Sequence, residues 1–397
     1  GAFTIPMMKK MGFRPPFAAA VEAVASTGGQ IMPPIMGAGA FIMAELIQTP
    51  YLKIAIAAAL PALLYYFTCW VGIHFFAMRD GLRGLDASEL PSWRDTLRAS
   101  AFFLVPFAVL LAFLIFAYTP QYAAFWATLS TFPLAFLTTD FGWDRTVLQK
   151  VKRAILEGGP QVAMIASICA CAQIIIAILS HTGLGVKICT FILDLSGASL
   201  FLTLLLTMVT CVLLDMEVPT TAAYIMSVIV AAPALIQLGV HPLAAHLFVF
   251  YFAILSAITP PVCGAVYIAA GMAGADWIET ARYSLRLSYA AFLLPFVFVY
   301  DYSMLLIVEG GLLAIAASVV RTSLAMVTLS AGFIGQLRGE LTMAGRLVLI
   351  AVGIFWIVPH WAWDLLGLVG TVLVFLDRRW IYRHPLPSAP QRRAAGR

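Results

Sequence analysis

Apolar residues run through this chain in long uncharged blocks, and those blocks set its secondary structure. Residues 54–78, 99–139, 158–186, 195–214 and 218–275 contain no Asp, Glu, Lys or Arg. A helix crosses a bilayer core with roughly 20 apolar residues, and only helices or closed barrels satisfy every backbone polar group there. The pattern predicts an all-α polytopic membrane protein. Helices are expected near Ile54–Met78, in two pieces across 99–139 broken at Thr119-Pro120, and over Gln161–Ser180. Gly183–Gly197 is less regular, because Lys187 and Asp194 interrupt it; another span runs from an amphipathic start at Asp276–Arg286 to Tyr300. Past Asp301 charges return, and shorter spans near Met304–Val320, Leu347–Val358 and Trp363–Leu376 form an appended helical module over 301–376. Asp377–Arg397, with six Arg and three Pro, reads as a basic disordered tail.

Two apolar stretches are interrupted too often to be simple spans. Phe17–Leu46 is broken at Thr27-Gly28-Gly29-Gln30 and Pro33-Pro34, so that each half is shorter than a span. The 58-residue block 218–275 carries Pro219, Pro233, Pro242 and Pro260-Pro261. These breaks predict a re-entrant hairpin over 17–46, a broken helix around Val218–Thr221 that continues to about Leu238, and a second re-entrant hairpin over 243–275 with its tip at Thr259-Pro260-Pro261. The two tips share a small hydroxyl residue, an apolar approach and a Pro-Pro pair, and the pairs lie 227 residues apart. Lys9, Lys10 and Arg14 place the first residues on the cytoplasmic side, while the stretch without Lys or Arg between Lys187 and Arg282 belongs to outward loops. One hairpin entering from each side makes the halves 1–300 an inverted repeat. Secondary transporters are built this way, with half-helix ends meeting near the midplane.

Composition narrows the function classes. Hydrophobic residues make up 62% and charged residues 11%, against about 25% charged in a soluble domain. That excludes a soluble enzyme, a nucleic-acid-binding domain and a secreted disulfide scaffold. The net charge of +5 then reports topology, not an acidic partner. The six cysteines sit in or beside apolar stretches and read as small buried hydrophobes. The first residues contain neither an initiating Met nor a signal peptide, so the chain is expected to be the interior of a longer polypeptide. A membrane scaffold or intramembrane enzyme is the alternative to a transporter, but the sequence contains no HExxH, no phosphate-binding loop and no nucleophile–base arrangement.

The candidate chemistry lies at the breaks. In Leu214-Asp215-Met216-Glu217-Val218-Pro219-Thr220-Thr221, two carboxylates follow an apolar helix. Ionisable groups within a membrane are costly and are functional candidates by default, although the same run of helix breakers suits two carboxylates standing in water at a loop. Thr220 and Thr221 hydroxyls and carbonyls freed around Pro219 are hard oxygen ligands suited to Na⁺; the carboxylates, if buried, suit protons instead. Glu22 faces the first tip and Glu45 flanks the hairpin. His181, His241 and His246 read as loop or packing histidines, and Trp70, Trp93, Trp126, Trp143, Trp277, Trp361 and Trp363 as interfacial anchors.

Four segments carry a family resemblance: Phe3-Thr4-Ile5-Pro6-Met7-Met8-Lys9-Lys10, Val21 to Pro34 with its Ser26-Thr27-Gly28-Gly29-Gln30-Ile31-Met32-Pro33-Pro34 run, Pro219-Thr220-Thr221-Ala222-Ala223-Tyr224, and Ala257-Ile258-Thr259-Pro260-Pro261-Val262. Together they resemble the DctM-like large membrane subunit of tripartite ATP-independent periplasmic (TRAP) transporters, most of all the TAXI type in which small and large membrane subunits are fused. The likeness covers residues 1 to about 300; residues 301–397 are similar to a C-terminal extension of fused members. The resemblance implies an elevator-type symporter of the bacterial inner (plasma) membrane, with no resident cofactor. A periplasmic solute-binding protein would deliver an organic acid, and a Na⁺ or H⁺ gradient would drive uptake. By position it assigns ion binding to Ser26, Thr27, Gly28, Gly29, Pro219, Thr220, Thr221, Ser256, Thr259, Pro260 and Pro261, beside Asp215 and Glu217. Substrate contacts fall to Gln30, Pro33, Thr220, Thr221 and Gly264. Many relatives have Gly where this chain has Asp215 and Glu217, which is expected to favour proton coupling or to change ion affinity. Helices that precede the first hairpin in the family, and the small-subunit helices, are not in this chain, so it is not expected to transport by itself.

Overall fold

The apolar blocks become helices in the computed structural model, which describes residues 1–376 other than 35, 83–91, 117, 137–145, 217, 308–310 and 359. The expected tail, Glu217, Trp143 and parts of the polar segments 79–98 and 140–159 lie outside those residues. The described helices are α1 (Thr4–Lys10), α2 (Pro15–Gly28), α3 (Gly39–Leu46), α4 (Tyr51–Arg79), α5 (Trp93–Ile115), α6 (Pro120–Ala135), α7 (Val147–Thr182), α8 (Leu184–Ser196), α9 (Leu200–Leu214), α10 (Thr220–Gln237), α11 (Pro242–Leu255), α12 (Gly264–Ala273), α13 (Trp277–Tyr300), α14 (Gly311–Ile334), α15 (Met343–Ile357) and α16 (Trp361–Leu376). Local sequence explains many of the boundaries. Proline opens α2, α6 and α11, where its missing N–H costs no helical bond. The Thr119, Asp276 and Thr342 side chains accept from backbone N–H groups in the first turns of α6, α13 and α15.

One end of the bundle carries Lys9, Arg14 and Arg346. Lys9 donates to the Ala273 carbonyl at 3.0 Å, Arg14 pairs with Asp80 at 3.5 Å, and Arg346 donates to the carbonyls of Gly332 and Phe333 at 2.9 Å each. Phe17, Phe76 and Tyr283 pack as one aromatic cluster at this end. At the opposite end, the turn before α4, the start of α11 and the 3-10 turn Tyr302–Leu305 surround a common cavity.

These two ends fix the course of the chain, and they correct the expected hairpins. Phe17 of α2 meets Phe76 near the end of α4, Val24 meets Tyr65 in its middle, and Pro34 meets Tyr51 at its start. The α2 helix and the break after it therefore run antiparallel to α4 along its whole length. The α3 helix continues to the far end, where a four-residue link turns into α4. Among the described residues α2 and α3 do not lie side by side, and neither do α11 and α12. The α11 helix starts at the far end, breaks, and continues as α12 to the Lys9 contact at the basic end. Both interrupted stretches are thus discontinuous crossing helices, not re-entrant hairpins. They run in opposite directions and correspond position by position: α2 and α11 have 14 residues each, and both their starts and their ends lie 227 positions apart, as do the ends of α1 and α10 and of α3 and α12.

The re-entrant hairpin lies where a broken helix was expected. The α9 and α10 helices pack along each other. The α9 helix begins where Phe201 meets Phe296, within a turn or so of the far end of α13, and α10 returns through Val240 to His241 at that same end. Asp215 and Thr220, on either side of their shared tip, bond Ser256 and Gln30 at the two breaks. At 18 residues α10 is long and apolar enough to cross a membrane, yet its first turn stops at the level of the breaks, so contacts rather than length decide its course.

The helices beyond Asp301 also differ from expectation. A span was expected to end at Val320, before Arg321; α14 instead runs through Arg321 to Ile334. The charge is tolerated because Arg321, half-buried, is ion-paired to Asp301 at the end of α13, with Asp364 of α16 at 3.9 Å. Asp301 Oδ1 also accepts from Ser303 N–H. Removing one partner of a buried pair strands the other. Arg321→Ala is expected to lower stability by about 1–3 kcal/mol, and adding Asp301→Asn, which keeps an oxygen for Ser303, should recover much of the loss. Thermal unfolding of the purified protein in detergent reads both.

Candidate functional site

Each break must satisfy the backbone groups that its missing helical turns would have paired. In the first, Ile31 and Met32 N–H groups both turn back to the Gly28 carbonyl and Gly37 N–H reaches the Gln30 carbonyl at 2.8 Å. Tyr65 and Tyr66 hydroxyls donate to the carbonyls of Val24 at 2.8 Å and Ala25 at 3.1 Å, and the Tyr51 hydroxyl to that of Pro34 at 2.5 Å. Gly28 is required by this packing: a Cβ there would stand 2.5 Å from Tyr65 Cε1. In the second break, Ser256 donates to the Ala253 carbonyl at 2.7 Å and Thr259 to that of Leu255 at 2.6 Å. Pro33-Pro34 and Pro260-Pro261 are both cis, and both are followed two residues later by a non-glycine left-handed residue, Met36 at φ 45° and Cys263 at φ 43°. Such a conformation costs roughly 1 kcal/mol or more per residue, and it recurs at matched positions in both halves.

The hairpin tip joins the two breaks. Thr220 Oγ1, in the first turn of α10, donates to Gln30 Oε1 at 2.6 Å. Ser256 Oγ lies 3.2 Å from the Asp215 carbonyl oxygen. The Asp215 side chain is buried at 1% exposure, and Ser227 Oγ, on the returning helix, stands 2.9 Å from each of its carboxyl oxygens. No Lys, Arg or His pairs with Asp215 among the described residues. A charge so placed needs a proton or a cation as neutraliser. This position removes the alternative of Asp215 standing in water.

The sequence candidates divide accordingly. The fold brings Gln30 to Thr220 and Asp215 to Ser256, with α2 packed against the 3-10 turn Ser256–Ile258. The Thr27 hydroxyl is buried and donates to the Ala23 carbonyl, while Ser26 is exposed and donates to Glu22. Gly29, Pro219 and Pro261 are exposed; Pro33, Thr221, Pro260 and Gly264 are half-buried beside the same breaks. Hydroxyls that donate to carbonyls keep lone pairs free for a cation. No group of three His, Cys, Asp or Glu among the described residues is placed to hold a metal ion. His246, read as a packing residue, is buried against the Tyr224 hydroxyl at 2.8 Å. Sequence reasoning missed Ser227, Tyr51, Tyr65 and Tyr66. A hairpin spanning 200–237 folds Ser227 back on Asp215, twelve residues earlier; the tyrosines carry no local signal.

The sequence matches the family described as "Tripartite ATP-independent periplasmic transporter, DctM component" over residues 1–309. It is also 23% identical over 287 residues to the C4-dicarboxylate TRAP transporter large permease protein DctM of Pseudomonas aeruginosa, covering 72% of this chain and 65% of that protein. The chain belongs to the DctM family, whose members are membrane permeases and not enzymes. The α14–α16 helices lie beyond the matched residues.

The link between hairpin tip and first break can be measured alone. Gln30→Ala and Thr220→Val, singly and together, form a cycle whose coupling should be about 1 kcal/mol, read by thermal unfolding, with faster amide exchange in the first turn of α10. Additive single effects would show that the contact carries no energy.

Proposed function

We propose that this DctM-family chain forms the translocation core of a TRAP-type secondary symporter in the bacterial inner membrane, importing an organic acid that a periplasmic binding protein delivers. The small-subunit helices, fused or separate, would complete the permease, and an elevator-type movement of the core would carry the substrate. One observation carries the reading: two oppositely running broken helices and a re-entrant hairpin tip are held together by side-chain bonds at their breaks. Half-helix ends and unwound carbonyls at that depth are what a transporter uses to bind an anion and its coupling cation. The relative named as a C4-dicarboxylate permease supports a carboxylate substrate.

We read the cation site as Asp215 with Ser227 and Ser256, supplemented by the Thr27, Thr220, Thr221 and Thr259 hydroxyls and by carbonyls around Gly28, Gly29, Pro219, Pro260 and Pro261. Gln30, Pro33, Thr220, Thr221 and Gly264 stand where a carboxylate would approach. Asp215 gives the coupling ion, H⁺ or Na⁺, a single buried negative charge to neutralise. As the carboxylate must shed that cation to reset, occupancy of this one residue would tie ion flow to substrate flow.

The test is uptake by the full permease with its binding protein in liposomes, with Na⁺ and proton gradients imposed separately. Gradient-driven uptake of a carboxylate is expected, and Asp215→Asn should abolish its dependence on the coupling gradient. Gradient-driven uptake that is unchanged in Asp215→Asn would remove Asp215 from the coupling site; no uptake of any organic acid would overturn the functional reading.

A further inference from the structure

Away from the basic end, a cavity of about 600 Å³ opens between the turn before α4, the start of α11 and the 3-10 turn after α13. Its volume lies in the range of small-molecule sites. Ile47, Ile56, Leu305 and Leu306 give it an apolar wall, and its polar lining is Thr49, Lys53 and His241.

The charge balance of this lining favours an anion. Lys53 is exposed, and its ammonium makes no ion pair or hydrogen bond among the described residues. Among the described residues no carboxylate lines the cavity. Glu45 lines a neighbouring cavity of about 570 Å³, which shares Thr49 and Lys53 with the first, and Asp301 is held by Arg321. The α4 and α11 helices both begin at this end, so their partial positive ends add to the Lys53 field. His241 is engaged: its ring nitrogen accepts from Leu243 N–H at 3.2 Å and its backbone N–H donates to the Tyr302 hydroxyl at 3.1 Å. Lys53 is thus left free to meet a ligand, with aliphatic walls for a short carbon chain. Position supports a functional role, because Ile47 ends α3 and Pro242 opens α11, the two arms that lead inward to the breaks.

We propose that this cavity is a vestibule that takes a small carboxylate on the Lys53 ammonium before it reaches the breaks. The inference rests on the transport reading above for its purpose, but not for its measurement. The full permease in liposomes, without binding protein, is acylated with an amine-selective anhydride with and without succinate, and each lysine is followed by peptide mass spectrometry. Succinate is expected to slow acylation of Lys53 several-fold and to leave the exposed Lys187 unchanged; the neutral succinamide should protect neither. Leu306→Asp, which brings a competing carboxylate to the cavity, should remove the succinate effect while Lys187 still reacts as before. Equal rates at Lys53 with and without succinate, or equal protection of both lysines, would overturn the vestibule. Failure of uptake beside intact Lys53 protection would instead count against the transport reading alone.

Discussion

Everything distinctive in this structure follows from one constraint: helices broken in an apolar medium expose backbone groups that water is not there to satisfy. An unpaired N–H or carbonyl in that setting costs several kcal/mol. The chain answers with hydroxyls. Tyr65 and Tyr66 reach carbonyls near the end of α2, Tyr51 reaches Pro34, and Ser256 and Thr259 turn back on α11, while the hairpin tip is tied in through Thr220 to the Gln30 side chain and through the Asp215 carbonyl to Ser256. The breaks thereby keep their backbone groups bonded and hold polar side chains inside the bundle.

This answer links packing to function. Gly28 and Gly39 are small because Tyr65, in one case, and Phe250 and Tyr224, in the other, occupy the space a side chain would need. The tyrosine on α10 that packs on Gly39 also bonds His246 of α11, so hairpin, first broken helix and second broken helix share one packed interior. A movement of the hairpin would have to break the Thr220 and Ser256 bonds together, which makes the tip a natural point for an ion or a substrate to bias the chain's conformation.

Much of the fold was legible in the sequence, and the misreadings are informative. Uncharged blocks located α4, α5 and α6, because length and apolarity suffice for a spanning helix, and the amphipathic start at Asp276–Arg286 located α13. Gly-Gly and Pro-Pro located the breaks after α2 and α11, and Pro219 located the third. What they did not reveal is direction: a helix breaker says where a helix stops, not whether the chain turns back. Direction is decided by partners 12 to 41 residues away, Tyr65 and Tyr51 against α2 and its break, Ser227 and Ser256 around Asp215. Hence the expected hairpins proved to be crossing helices, and the expected broken helix a hairpin. Arg321 lies past the expected end at Val320 for a related reason, since its partner Asp301 stands twenty residues away. The inverted relation of the halves survived these corrections because the repeat rests on the 227-residue spacing and the two crossing helices still run in opposite directions.

The course of α9 and α10 is the claim on which the site depends. Single cysteines at Ser199, Gln237 and Lys10, labelled with a membrane-impermeant thiol reagent in sealed vesicles, test it directly. Ser199→Cys and Gln237→Cys should label from the same face of the membrane, and Lys10→Cys from the other. Labelling of Ser199→Cys and Gln237→Cys from opposite faces would mean that this segment crosses the bilayer, and would contradict the re-entrant tip that joins the two breaks.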